Sequence, residues 1–314
     1  MKPIPAIVAA LAVLSLHAPA FAESGRGHTP KPPSPPEELR LTAGALRLSA
    51  TLAQNDPQIV KSGLIWRVFE ERADERGKHK LVAQSDEASP TLQLPDGAYV
   101  VHAAWGLAGV TRRVAMEGKP RAERLTLNAG ALKLVDKLGE TVISPTRLSI
   151  SIYVPERGNS EAKLVLANAR GGELICLPEG AYHIVATLLD PTQGETNATN
   201  SVVTADLRVP AGKVIEATLR HRAATMTLKL VNTAGGEALA NTSFSVLTPG
   251  GDVIRELIGA FPKLVLAEGE YVAIARYEGK TYQNTFKVVS TQDRDVEIVA
   301  KEQTPTTPPT EGGQ

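Results

Sequence analysis

The stretch "LPDGAYVVHAAWG" (Leu94–Gly106) returns as "LPEGAYHIVATLL" (Leu177–Leu189) and again as "LAEGEYVAIARYEG" (Leu266–Gly279). Each copy reads Leu-x-acid-Gly-x-Tyr and then alternates apolar and polar residues. Gly97, Gly180 and Gly269 hold their place in the phrase, as do Tyr99, Tyr182 and Tyr271, while the Asp, His and Trp positions vary. A phrase that keeps Gly and Tyr but changes its chemistry is a structural device. Two further marks recur in the same order. "GALRL" (Gly44–Leu48), "GALKL" (Gly130–Leu134) and "MTLKL" (Met226–Leu230) precede it. "AERLTLN" (Ala122–Asn128), "KVIEATLR" (Lys213–Arg220) and "RDVEIVAK" (Arg294–Lys301) follow it. The chain therefore carries three tandem repeats, each long enough for one small domain.

Within a repeat the period is two. Met226, Leu228 and Leu230 share one face of a strand and Thr227 and Lys229 the other. In the third repeat this alternation predicts strands at about 224–231, 243–247, 252–257, 263–266, 270–277, 280–289 and 294–301. "PGGD" (Pro249–Asp252) is a hairpin turn, matched by "PERGNSEA" (155–162) and "ERADERGK" (71–78). No long stretch has a period of 3.6. The expected fold class is all-β: three tandem seven-stranded sandwiches, immunoglobulin-like or transthyretin-like. The repeats are expected at 42–128, 129–220 and 221–301. Their joints, "RLTLNAGALKLV" and "LRHRAATMTLKL", have few spare residues and restrict hinge motion. Three modules of ~25 Å strands placed end to end would give a rod of roughly 80 Å.

Sequence outside the repeats has other uses. Lys2, the apolar run Ile4–Leu16 and Ala20-Phe21-Ala22 form an expected signal peptide (1–22), cleaved after Ala22. The apolar run is shorter than the ~20 residues of a membrane span. A Pro-rich spacer (23–41) and a Pro/Thr/Gly tail (302–314) flank the repeats; the tail reads as disordered. The expected location is the periplasm, with secretion or surface attachment as variants.

Net charge is zero, 34 basic against 34 acidic side chains, so no overall field favours nucleic acid or an anionic membrane. The single cysteine, Cys176, makes no internal disulfide. The histidines are scattered, and no zinc pattern, nucleophile elbow or phosphate loop occurs. No cofactor, metal or catalytic residue is expected.

"LPDGAYVV" and "LPEGAYHI" resemble the Leu-Pro-x-Gly-x-Tyr signature of Cna-B-like and carboxypeptidase-regulatory-like domains. "MTLKLVNTAGGEALANTSFSVLTPGGDVI" is similar to their opening strands and hairpin. The third repeat departs, with Ala267 where that signature has Pro. The resemblance implies a transthyretin-like sandwich and a stalk, spacer or binding role. Some members crosslink a core-facing Lys to an Asn. Here Lys133 and Lys229 fall on the face opposite the core leucines and Arg47 replaces Lys in repeat one, so no crosslink is expected.

The phrase itself reads as a turn and an anchor: Gly permits a tight turn, and Tyr buries its ring while its hydroxyl reaches nearby backbone. Aligning the repeats puts Trp66 with Ile150 and Phe244, a core column, and Trp105 with Leu188 and Tyr277 at a strand end. Cys176 aligns with Gln93 and Val265, a column pointing away from the core. The polar loops 71–78 and 190–201 are the candidate partner contacts. The favoured function is a non-catalytic exported spacer or protein-binding scaffold. Ligand binding, including weak carbohydrate binding, is the alternative, and an enzyme assembled from distant residues is the third reading.

Overall fold

The structure, a computed structural model, describes residues 44–155, 162–194 and 196–301. The expected signal peptide, spacer, C-terminal tail and most of the 155–162 turn lie outside the described residues.

Each repeat folds as two facing sheets. Module 1 comprises β1 (Ala45–Thr51), β2 (Leu64–Ala73), β3 (His79–Ser85), β4 (Thr91–Gln93), β5 (Gly97–Trp105), β6 (Ala108–Met116) and β7 (Arg121–Thr126). Its sheets are ordered β4-β1-β7 and β3-β2-β5-β6. Module 2 runs through β8 (Ala129–Leu138), the short β9 (Thr141–Val142), β10 (Leu148–Val154), β11 (Lys163–Ala169), β12 (Leu174–Pro178), β13 (Gly180–Asp190), β14 (Asn197–Val209) and β15 (Val214–His221). Its sheets are β12-β8-β15 and β11-β10-β13-β14, with β9 pairing to β8. Module 3 has β16 (Ala223–Val231), β17 (Ser243–Leu247), β18 (Val253–Ile258), β19 (Lys263–Ala267), β20 (Gly269–Tyr277), β21 (Lys280–Val288) and β22 (Arg294–Val299), in sheets β19-β16-β22 and β18-β17-β20-β21. In every module the first strand is central in the smaller sheet. It pairs antiparallel with the strand before the Tyr phrase and parallel with the last strand.

The alternation sets the two layers. On β16, Met226, Leu228 and Leu230 are buried, and Thr227 and Lys229 lie on the other face, half-buried. In module 2, Leu132, Leu134, Ile150, Ile152, Leu177 and Ile184 close the space between the sheets. Each such side chain contributes roughly 1.5–3 kcal/mol relative to exposure. Trp66 is fully buried in module 1 and its indole N–H donates to the Glu87 carbonyl at 3.1 Å. Trp105 packs at the edge of the same core.

One boundary differs from expectation. β15 continues through His221, one residue past the expected limit of 220, because His221 alternates inward after Leu219 and is buried in module 2. The chain then crosses to β16 through Arg222 alone. At the first joint Asn128 takes a φ of 47°, a conformation Asn tolerates better than most residues. Leu127 and Ala129 then donate to the Thr51 and Leu52 carbonyls, so the chain enters module 2 still tied to module 1.

Candidate functional site

The recurrent tyrosines share one geometry. The Tyr99, Tyr182 and Tyr271 hydroxyls donate to the carbonyl four residues upstream: Pro95 at 3.0 Å, Pro178 at 2.7 Å and Ala267 at 2.9 Å. All three rings are buried in their module's core. Two of the three glycines differ from expectation. Gly180 and Gly269 do not have positive φ, and a Cβ there would meet only the Tyr182 or Tyr271 ring, at 3.6 Å and beyond. Gly97 is near extended, with its own Tyr99 at 3.5 Å. A Cβ at Gly180 or Gly269 would stand at ordinary contact distance from the ring folded back over it, so neither a tight turn nor crowding requires glycine at these two positions. Burial pushes the Tyr182 and Tyr271 phenols up.

The chemistry that distinguishes the copies lies where modules meet. At the first junction the β5–β6 hairpin of module 1 lies against β12 of module 2. Leu107 N–H donates to the Cys176 carbonyl at 3.0 Å. Gly106 has φ +59°, and a Cβ there would stand 2.6 Å from the Cys176 Cβ. Cys176 is thus half-buried under the hairpin, and burial pushes its thiol up.

The second junction uses the equivalent surfaces and adds side chains. β19 is an outer strand of module 3, and unpaired backbone on such a strand needs partners. Module 2 supplies them from the β13–β14 hairpin. The buried Asp190 carboxylate accepts from Val265 N–H at 2.9 Å and from Thr192 N–H at 2.9 Å. Asn200 accepts from Ala267 N–H at 2.9 Å and donates to the Tyr271 hydroxyl at 2.7 Å. Thr192 Oγ1 and Gln193 Nε2 both donate to the Lys263 carbonyl, at 2.8 and 2.7 Å. The Val265 side chain inserts into the module 2 core. Four side chains thus stand in for a missing strand. Half of the expected partner loop 190–201 is strand, and four of its polar residues, Asp190, Thr192, Gln193 and Asn200, are occupied by module 3. The other loop shortens to 74–78, where the Asp74 carboxylate caps the turn by accepting from the Arg76 and Lys78 N–H groups.

A buried polar chain lies behind this junction. Between Thr187 and Leu189 the β13–β14 register shifts, so residues 199–201 of β14 face the single Leu188. The bulge aims Asn200 at module 3 and Ser201 inward. Ser201 Oγ is 3.2 Å from His221 Nδ1, and His221 Nε2 is 3.3 Å from Asp136 Oδ1. A neutral imidazole protonated at Nε2 satisfies both contacts: it donates to the carboxylate and accepts from the hydroxyl. The order is that of a hydrolytic triad, yet nucleophilic attack needs an accessible Oγ beside oxyanion donors. Ser201 is 4% exposed, and the His221 and Asp136 side chains are fully buried. The three groups tie the β14 bulge to β8 and β15. Asp136 was legible: it follows Leu132 and Leu134 at the inward spacing of β8 and breaks an apolar column.

Lys133 and Lys229 lie on the outer side of their sheets and pair with the last strand, with Glu216 at 3.3 Å and with Glu297 at 2.9 Å. The Glu297 hydrogen bond raises the Lys229 pKa and, reciprocally, holds Glu297 below the usual carboxylate range. Among the described residues no group of three or more His, Cys, Asp or Glu side chains is placed to hold a metal, and no helix is long and apolar enough to cross a membrane.

The sequence model of a family described as a Rhizobiales growth-associated tandem repeat domain matches residues 225–300, which is module 3. No curated protein matches the chain. Among solved structures it is similar to the Bacillus anthracis TIE protein, at 17% identity and TM-score 0.23, over 82% of this chain and 51% of that one. The chain thus spans about half the length of that relative. It is also similar to a streptococcal ancillary pilin, at 12% identity and TM-score 0.30, over 82% of this chain and 99% of the pilin. A putative adhesin from Bacteroides thetaiotaomicron aligns at 12% identity and TM-score 0.27, over 49% of this chain and 78% of the adhesin.

Proposed function

We propose that the protein is an exported, non-catalytic scaffold: three sandwiches joined at restricted junctions, acting as a spacer or protein-binding element in the periplasm or at the cell surface. The observation that carries this reading is the second junction. Asp190, Thr192, Gln193 and Asn200 are all occupied in fixing module 3 to module 2. A chain that commits its distinguishing polar residues to holding modules in place is built for geometry. The ligand-binding alternative cannot use either tryptophan as a platform, because Trp66 is fully buried and Trp105 packs against the core.

The test is cell fractionation combined with small-angle scattering of the purified chain. Mature protein beginning after Ala22 in the periplasmic or surface fraction, with an extended envelope of fixed length, is the expected result. Cytoplasmic retention would remove the exported reading. A distribution of lengths as broad as that of freely jointed modules would remove the spacer.

A further inference from the structure

Arg67 and His102 break the pattern of the repeats on a sheet face whose residues make none of the junction contacts. In module 1 the sheet β3-β2-β5-β6 buries Trp66 and Val68 on one side and turns Ile65, Arg67 and Phe69 to the other. The register places one polar row across that face: Gln84, Arg67, His102 and Thr111, one from each strand. Three strand spacings make the row roughly 14 Å long. Phe69, paired with Leu81 and Val100, lies on one side of the row, and Ile65, paired with Ala104, on the other. The positions of Arg67 and His102 hold Ser151 and Val185 in module 2, and Ser245 and Ile274 in module 3. The fold therefore does not require basic residues here.

The pairing is unfavourable as it stands. Like charges directly opposite each other on a sheet repel. Burial first, and Arg67 after it, lower the His102 pKa. Arg67 is half-buried and has no carboxylate partner among the described residues. The nearby carboxylates are engaged: Glu70 with Lys80 at 3.0 Å, Glu71 with Arg113 at 3.1 Å, and Asp74 with N–H groups of its own turn. A cleft of about 860 Å³ opens beside Arg67. Arg72 and Lys78, also without carboxylate partners among the described residues, line it with Phe69 and Leu81. Its free polar groups are cations. A half-buried guanidinium without an anion, found in one repeat and absent from the other two, marks a site that a ligand completes.

We propose that this face of module 1 binds an acidic saccharide. A uronate carboxylate pairs with Arg67 in the two-point geometry that a guanidinium offers. The apolar face of the sugar ring rests on Phe69, and Gln84, His102 and Thr111 bond its hydroxyls. Gly109 keeps the imidazole edge open, because a Cβ there would stand 3.0 Å from His102 Nε2. β2 and β5 are paired on both sides, so a peptide strand finds no backbone ladder here and recognition falls to side chains. A neutral sugar would leave Arg67 unpaired. The site is independent of the junctions that carry the scaffold reading.

The test is calorimetric titration of the full chain with a galacturonate trimer, against an uncharged galactose trimer and a glutamate trimer. The galacturonate trimer is expected to bind at least about tenfold tighter than the galactose trimer, as one hydrogen bond to a charged group implies. It should also bind tighter than the glutamate trimer, which has the charge without the ring, and it should shift the His102 ring resonances. Arg67→Ser, the residue that the other two modules use, should weaken binding about tenfold and leave the tryptophan-fluorescence melt of module 1 in place. Arg67→Lys keeps the charge, loses the two-point pairing and should fall between the two. Arg276→Ser in module 3 should change nothing. Equal affinity for the galactose or the glutamate trimer, undiminished binding by Arg67→Ser and Arg67→Lys, or no binding overturns the proposal. None of these outcomes bears on the fractionation and scattering test of the scaffold, so the two readings fail separately.

Discussion

Asp190→Ala tests whether the second junction is held as described. Asp190 is 2% exposed and both carboxylate oxygens are in use, one on Thr192 N–H within its own hairpin and one on Val265 N–H across the junction. Hydrogen bonds to a charged acceptor contribute about 1.5–3 kcal/mol each, and a buried donor left without a partner costs about 1–3 kcal/mol. These overlap, so the substitution should destabilise modules 2 and 3 by about 3 kcal/mol. The two modules span roughly 170 residues (Ala129 to Val299), for which 1 kcal/mol corresponds to about 2–4 °C in melting temperature. The expected fall is about 6–12 °C. The assay exploits the tryptophans: the chain has 2, Trp66 and Trp105, both in module 1. Tryptophan fluorescence therefore follows module 1 alone, while far-ultraviolet circular dichroism follows all three. Asp190→Ala should leave the fluorescence transition in place and lower the dichroism transition. Asp190→Asn keeps a carbonyl acceptor and should lose about half as much. A dichroism shift below about 1 °C would show that these bonds do not hold the junction. An equal shift in the fluorescence transition would show that the modules do not melt separately enough for the junction to be assigned this role.

Other outcomes follow from the same geometry. Gly106→Ala should loosen the first junction by about 2–4 kcal/mol, because it combines a positive φ with a Cβ driven into Cys176. Gly269→Ala, whose Cβ would meet only the Tyr271 ring, should stay within about 0.5 kcal/mol in urea titration. Tyr182→Phe should cost about 1 kcal/mol, and Tyr271→Phe about twice that, because Asn200 also loses its acceptor. Burial, and then the neighbouring Arg67, lower the His102 pKa, so the unfolded chain takes up that proton first. Module 1 stability should therefore be fully present above about pH 6.5 and decline as the pH falls from there toward the lower folded value. His102→Gln should flatten that dependence in fluorescence-monitored melts. Iodoacetamide should modify Cys176 slowly in the native chain and faster once the first junction opens, as in Gly106→Ala.

How much of this was legible depends on which neighbour a side chain meets. Strand alternation is local, so the third-repeat strands could be drawn from Met226, Leu228 and Leu230 and their kin to within two residues of the structure. The same alternation turned Cys176 and Val265 away from their own cores but could not say what lay on that side. A hairpin tip covers one and a neighbouring core takes in the other. The loop 190–201 looked free because its residues are polar. Its carboxylate and amide are polar because they replace backbone groups on β19, and that pairing joins residues 67 to 75 positions apart in sequence. Asp136 carried a local signal, a charge on an inward position, whereas its partner Ser201 depends on a bulge that no alternation encodes. The readable part of this chain is thus what each module does for itself. Its individuality lies in what one module does for the next, which is also why the repeated Tyr phrase could stay constant while the residues around it diverged.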